Sequence, residues 1–197
     1  MPRERREQLI LDVAGQVFAR AGYESAPMDE IADRAGVSKP MLYTYFGSKE
    51  GLYLAYIERA GGELLERLVG AKSTDGSPAS VLRARITEFL TFVEEHRDGW
   101  QVLFREVAST RALAERVAVL RERIAGAIAI MVQESASGWA GYPALAADAI
   151  AHALVGAGES LANWWLAHPD VPRERMAEWY AAVIEGAVAQ VSRHPAD

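Results

Sequence analysis

Apolar residues recur at steps of three and four along almost the whole chain, and no stretch sustains a period-two alternation. Steps of three and four return to one face of an α-helix, so the chain is predicted to be all-α. The first helix is expected over 3–21, with Ile10, Val13, Ala14, Val17 and Phe18 inward. Gly22 is its expected stop, because glycine accepts the left-handed cap conformation. A longer helix is expected over 48–69, carrying Leu52, Ala55, Tyr56, Leu64, Leu65 and Leu68. Its Gly61-Gly62 pair reads either as a flexible point or as a mark of loose packing between helices. The run Gly-Ala-Lys-Ser-Thr-Asp-Gly-Ser-Pro at 70–78 reads as a linker. Beyond it, helices are expected over 78–96, 99–109, 112–137, 143–168 and 172–193, the last with Pro172 at its first turn.

Residues 28–46 read Met-Asp-Glu-Ile-Ala-Asp-Arg-Ala-Gly-Val-Ser-Lys-Pro-Met-Leu-Tyr-Thr-Tyr-Phe. Two short helices about a tight turn fit this string, which brings the expected total to about nine. Pro27 suits a first helical turn, and Asp29 and Glu30 complement the helix dipole. Ile31 and Ala35 face inward, and Ala32 is small enough for a second helix to cross closely. Gly36 permits a positive φ at the turn, Val37 plugs the corner, and Ser38 caps the next helix. Leu42 and Phe46 face the core, leaving Lys39, Pro40, Met41, Thr44 and Tyr45 projecting outward. This is the helix-turn-helix pattern, although an ordinary helical hairpin has the same helix–glycine–helix order.

Charge alone does not suggest a nucleic-acid partner. The net charge is −6, and residues 1–57 hold seven Lys/Arg (3, 5, 6, 20, 34, 39, 49) against eight Asp/Glu (4, 7, 12, 24, 29, 30, 33, 50). Any DNA footprint must come from the placement of a few cations. The absence of cysteine removes disulfides, thiolate chemistry and cysteine zinc sites together. His96, His152, His168 and His194 lie far apart, and none pair at metal-ligand spacing, so neither metal nor cofactor is expected. Every apolar run is broken short of about 18 residues, so no membrane span is expected. The basic start at Arg3, Arg5 and Arg6 imitates a signal peptide, but Asp12 and Gln16 interrupt the apolar stretch, and a cytoplasmic location is expected.

A longer string carries more information: Gly22-Tyr23, Ile31-Ala32, Ala35-Gly-Val-Ser38, Leu42-Tyr-Thr-Tyr-Phe46 and Ser48-Lys-Glu-Gly-Leu52. In this order and spacing it closely resembles the N-terminal domain of the tetracycline-repressor (TetR) family. That family commonly has Thr or Ser where Ala26 and Pro27 stand, and often His where Tyr45 stands. The resemblance implies a DNA-binding helix-turn-helix domain over 1–48, a connecting helix over 49–70, and a ligand-binding and dimerisation domain over 71–197. It implies a transcriptional regulator, expected to be a repressor, in which helix 38–46 lies in the major groove of a double-stranded operator. Tyr43 and Tyr45 would then donate to phosphates, with Lys49 adding charge. Lys39 would reach guanine O6/N7, and Thr44 and Met41 a thymine methyl. Arg3, Arg5 and Arg6 read either as a DNA-contacting arm or as a solvated helix start.

All five tryptophans lie beyond residue 99, which separates a C-terminal part rich in large aromatics from the N-terminal motif. Inward stripes there read as plain core or, by the resemblance, as the wall of a pocket for a small, apolar effector. The candidates are Phe89, Trp100, Phe104, Ile128 and Met131, with Arg85, Glu159 and Asn163 as polar anchors. By the same resemblance the last two helices would form a homodimer through Ala151, Gly158, Ala162, Tyr180, Ile184, Ala187 and Val191. A palindromic operator would follow. Three other functions compete, and one of them, a helical protein-interaction module without DNA binding, leaves Lys39, Tyr43, Tyr45 and Lys49 unexplained. A helical enzyme would use His152 and Glu159, which fall within about a 60° arc of one helix face together with Asp148 and Asn163. They stand two turns apart with no nucleophile, phosphate loop or metal set beside them, so no catalytic residue is assigned. A ligand-independent architectural DNA-binding protein would show no release by an effector.

Overall fold

The computed structural model describes residues 2–97, 100, 111–135 and 144–191, without side chains at 112, 134, 135 and 187–191. Among the described residues the chain is all-helical. Its helices are α1 (Arg3–Ser25), α2 (Met28–Ala35), α3 (Lys39–Phe46), α4 (Lys49–Gly70), α5 (Pro78–Glu95), α6 (Arg111–Ser135), α7 (Ala144–Leu166) and α8 (Arg173–Val191). About nine helices were expected. The one predicted over 99–109, with Phe104 on it, lies outside the described residues. No described helix is long and apolar enough to cross a membrane.

The chain divides into two compact units, Met1–Gly62 with His96–Leu120, and Glu63–Glu95 with Arg121–Asp197. In the first, the predicted inner face of α1 is buried at all five positions, with Leu11 beside them. Gly22 breaks the helical geometry as expected (φ 76°, ψ 163°), but one more turn follows, to Ser25. Packing explains the extension. Buried Tyr23 lies on that turn, its ring 4.8 Å from Tyr53 of α4 and 6.2 Å from Phe18 of α1. Phe18 and Tyr53 meet edge-on at 5.0 Å. Complete burial of side chains of this size contributes about 1.5–3 kcal/mol each, which anchors α4 against α1.

Gly61 and Gly62 differ in kind. A Cβ on Gly61 would stand 2.7 Å from Leu120 Cδ1, whereas one on Gly62 would meet nothing within 4 Å. The pair therefore marks neither loose packing nor a break: α4 continues through it, and Gly61 admits a close neighbour.

In the second unit α5 lies along α8. Ion pairs border the contact, Arg83–Glu185 at 3.2 Å and Arg173–Glu94 at 3.1 Å. Tyr180 of α8 donates its hydroxyl to the Leu154 carbonyl at 2.8 Å and lies 6.3 Å from the Phe89 ring. Burial pushes its pKa up to about 12. Gly158 leaves room for both rings, since its Cβ would meet Tyr180 Oη at 3.1 Å and Phe89 Cζ at 3.4 Å. Ala151 packs with Ala125 and Ala129 of α6.

These contacts involve residues expected at the dimer surface. Ala151, Gly158, Ala162, Tyr180 and Ile184 are all buried within the chain. Gly158 admits Tyr180 and Phe89 of the same chain, and Ala151 admits the α6 alanines. Ala187 and Val191 lie outside the described side chains.

Gly61→Ala is expected to destabilise the fold by about 1–3 kcal/mol through overpacking. Gly62→Ala should stabilise it by roughly 0.5–1 kcal/mol through reduced chain entropy. Thermal or urea unfolding of the two variants checks the pair, and equal effects would contradict the Leu120 contact.

Candidate nucleic-acid interface

The helix-turn-helix is built by local rules. Pro27 takes the position before α2, with φ −81° and no side-chain cap, rather than the first helical residue. Asp29 and Glu30 occupy the first turn, and Ile31, Ala32 and Ala35 are buried. Gly36 takes φ 66°, a conformation that costs glycine nothing but strains a residue with a Cβ. The turn closes with Val37 N–H donating to the Ala32 carbonyl at 3.0 Å. Ser38 then accepts from Met41 N–H at 3.3 Å, the expected cap of α3. Ser48 does the same for α4, accepting from Gly51 N–H at 2.9 Å.

Orientation of α3 follows from its inward contacts. Leu42 is fully buried, and Phe46 is half-buried rather than part of the core. Lys39, Pro40 and Thr44 are exposed, and Tyr43 is 41% exposed. Met41 and Tyr45, also expected to project outward, are half-buried. Thr44 donates its hydroxyl to the Pro40 carbonyl at 2.9 Å, so that hydroxyl is already engaged within the helix.

Cations around this surface have partners that periodicity did not reveal. Lys39 Nζ lies 3.0 Å from Asp29 Oδ2, and this bond holds the ammonium above its ordinary pKa. Lys49 donates to the Glu24 carbonyl at 2.7 Å and stands 5.3 Å from the Tyr23 ring centre, so it caps the last turn of α1. Arg3 opens α1 rather than trailing as an arm, and its guanidinium lies 5.3 Å from the Tyr45 ring centre. Glu30 joins α2 to α1 through Arg20 at 2.5 Å and also takes Arg34 at 3.3 Å, while Arg34 bonds Gln16 as well. Residues ten and eighteen apart meet here, spacings that no local signal exposes.

The candidate effector residues are dispersed. Trp100 is buried in the first unit, whereas Arg85, Phe89, Ile128, Met131, Glu159 and Asn163 belong to the second. Met131 is buried, and Ile128 is partly buried against the alanine cluster. Glu159 accepts two bonds from Arg121, at 2.8 and 2.9 Å. Burial raises its carboxyl pKa, and Arg121 offsets part of the rise. His152 is exposed, bonds the Asp148 carbonyl at 2.9 Å and faces Glu122 rather than Glu159.

Comparison with known proteins bears on both parts of the chain. The family profile described as bacterial regulatory proteins, tetR family, matches residues 10–56. That described as Tetracyclin repressor-like, C-terminal domain, matches residues 78–184. The chain is 35% identical over 167 residues to the HTH-type transcriptional activator FasR of Mycolicibacterium smegmatis, covering 84% of this chain and 74% of that one. A crystal structure of a TetR-like transcriptional regulator from Rhodococcus sp. RHA1 is similar with a TM-score of 0.74 at 36% identity, over 96% of this chain and 98% of that one. A tetR-family regulator from Streptomyces coelicolor gives a TM-score of 0.74 at 26% identity, over 98% and 83%.

Tyr43→Phe removes only an exposed hydroxyl, so it should leave the melting temperature unchanged and weaken duplex binding by roughly two- to ten-fold. Lys49→Ala should lower both, because the Glu24 cap goes with the charge. Fluorescence anisotropy with parallel thermal melts separates the two, and full-strength binding by Tyr43→Phe would remove Tyr43 from the interface.

Proposed function

The chain belongs to the TetR family of transcriptional regulators and carries a DNA-binding N-terminal domain, and from that premise we propose a homodimer that reads a palindromic operator with α3. A small apolar effector bound in the C-terminal domain sets operator occupancy. The relatives are transcriptional regulators, and this chain is a regulator rather than an enzyme.

The observation that carries the reading is the outward face of α3. Lys39, Pro40, Tyr43 and Thr44 stand exposed on a helix whose Leu42 is locked in the core. Lys39 is assigned to guanine O6/N7, and Thr44 and Met41 to a thymine methyl, with Pro40 setting the close approach. Tyr43, Tyr45 and Lys49 are assigned to phosphates. Lys49 keeps donors beyond the one given to Glu24, since an ammonium has three.

Support for the dimer comes from apolar groups left uncovered on the last two helices. Leu145 is 79% exposed and Trp164 43% on α7, and Trp179 is 48% and Val183 62% on α8. Exposed Ala149, Ala153, Gly156 and Ser160 lie between Leu145 and Trp164, so the stripe holds to about 100° of the α7 face. Small residues flanked by large apolar ones let a second helix pair approach closely, and an exposed apolar patch of this kind marks an interaction surface. An isologous dimer through this face would hold two copies of α3 about 34 Å apart, one helical turn of DNA. The effector is assigned to the second unit, where Phe89 and Ile128 are partly buried and Met131 is buried, with Arg85, Glu159 and Asn163 as polar groups. Because FasR is named an activator, the sign of regulation is assigned to operator position rather than to the fold.

Selection from a random-sequence duplex pool is expected to return a palindrome with half-sites one helical turn apart, and an unrelated or asymmetric set would contradict the dimeric reading. Val183→Asp is expected to sediment as a folded monomer and to lose at least ten-fold in affinity for the selected palindrome, that is about 1.4 kcal/mol. A Val183→Asp variant that stays dimeric would move the interface elsewhere.

A further inference from the structure

Asp29 and Lys39 belong to different helices of the DNA-facing motif, yet their charged atoms lie 3.0 Å apart. Both side chains are well exposed, so the pair lies on the outer surface and not in the packing between α2 and α3. Lys39 is the single charged residue of α3, whose sequence is Lys-Pro-Met-Leu-Tyr-Thr-Tyr-Phe. Other cations of the same unit are engaged too: Lys49 with the Glu24 carbonyl, Arg20 and Arg34 with Glu30, and Arg59 with Asp12. The helix thus offers DNA one cation, and a carboxylate of the same chain already holds it.

We propose that Asp29 is a specificity-determining residue, an internal anion that holds the Lys39 ammonium away from DNA phosphates while its remaining donors stay available to a base edge. The inference rests on the reading of α3 as the recognition helix. A phosphate oxygen has the same chemistry everywhere on a duplex and carries no sequence information. On non-cognate DNA, Lys39 exchanges one anionic oxygen for another, while Asp29 brings a like charge toward the backbone. On the cognate site, guanine O6 and N7 supply two acceptors at once, and the aligned contacts of Tyr43 and Thr44 accompany them. Specificity is a difference between two affinities, and a repulsive element that weakens the wrong complex serves it as well as a new attraction in the right one. The pair is exposed and therefore weak, so it biases this competition without locking Lys39 in place.

The test uses the full chain, the duplex that the wild type selects from a random pool, and a scrambled duplex of equal length and composition. Binding is measured by anisotropy over a series of KCl concentrations for the wild type, Asp29→Asn, Lys39→Met and the double variant. Asp29→Asn should tighten binding to the scrambled duplex by roughly two- to five-fold and leave the selected duplex nearly unchanged, so that discrimination falls. The salt slope on scrambled DNA should steepen by about one, the signature of one added phosphate contact. In the Lys39→Met background the same substitution should leave both discrimination and slope unaltered. Equal tightening on both duplexes would mean simple repulsion by the backbone and overturn the proposal. Weaker binding to both, with a lowered melting temperature, would reveal a merely structural pair and overturn it equally. A wild type that does not discriminate the selected from the scrambled duplex would overturn the reading of α3 itself, an outcome distinct from discrimination that survives Asp29→Asn.

Discussion

A helix of eight residues does not hold itself together in water, because nucleation fixes several residues before the first hydrogen bond forms. Both α2 and α3 are that short. Their stability comes from Ile31, Ala32, Ala35 and Leu42, buried in the same unit as the longer α1 and the first part of α4, to Gly62. Caps and the Gly36 turn set the angle between them, but burial supplies the free energy. The outward face of α3 is therefore defined by what its inward face must do. Once Leu42 is buried, Lys39, Pro40, Tyr43 and Thr44 have nowhere to point but out.

This constraint explains how an acidic chain serves as a DNA-binding regulator. The motif does not rely on a broad positive field, which the balance of charges in residues 1–57 could not supply. On the proposed reading it relies on a few donors held in register by a packed scaffold, with other cations tied to carboxylates and carbonyls of the chain itself. Arg20, Arg34 and Glu30 link α2 to α1, Lys49 closes the end of α1, and Arg3 lies over Tyr45. Exposed pairs of this kind add little stability each, and their effect is on placement.

Much of this was legible in the chain. Helical periodicity located the described helices, and Gly36 and Ser38 play the local roles their chemistry implied. The family likeness rested on the same residues. What escaped was relational. Small residues on α7 signalled a close helix approach correctly, but the approaching partners belong to the chain's own α6, α5 and α8, while Trp164 of α7 and Trp179 of α8 stay outside. Alanine and glycine at helical spacing do not say whose helix they admit. Likewise, the Lys39–Asp29 and Arg121–Glu159 pairs join residues 10 and 38 positions apart, and only the folded backbone brings them together. The extra turn of α1 beyond Gly22 has the same origin, since it exists to bury Tyr23 against Tyr53.

The central claim, that the α3 face reads a specific DNA sequence, is tested most directly by a gel-shift of the purified chain. The probe is the DNA flanking its own coding region, at two salt concentrations and with excess unrelated duplex. Specific recognition predicts a discrete complex that resists the competitor and survives the higher salt. A diffuse complex that vanishes with salt reflects phosphate contacts alone. If the duplexes selected from a random pool also gave only that behaviour, sequence recognition by α3 would be contradicted.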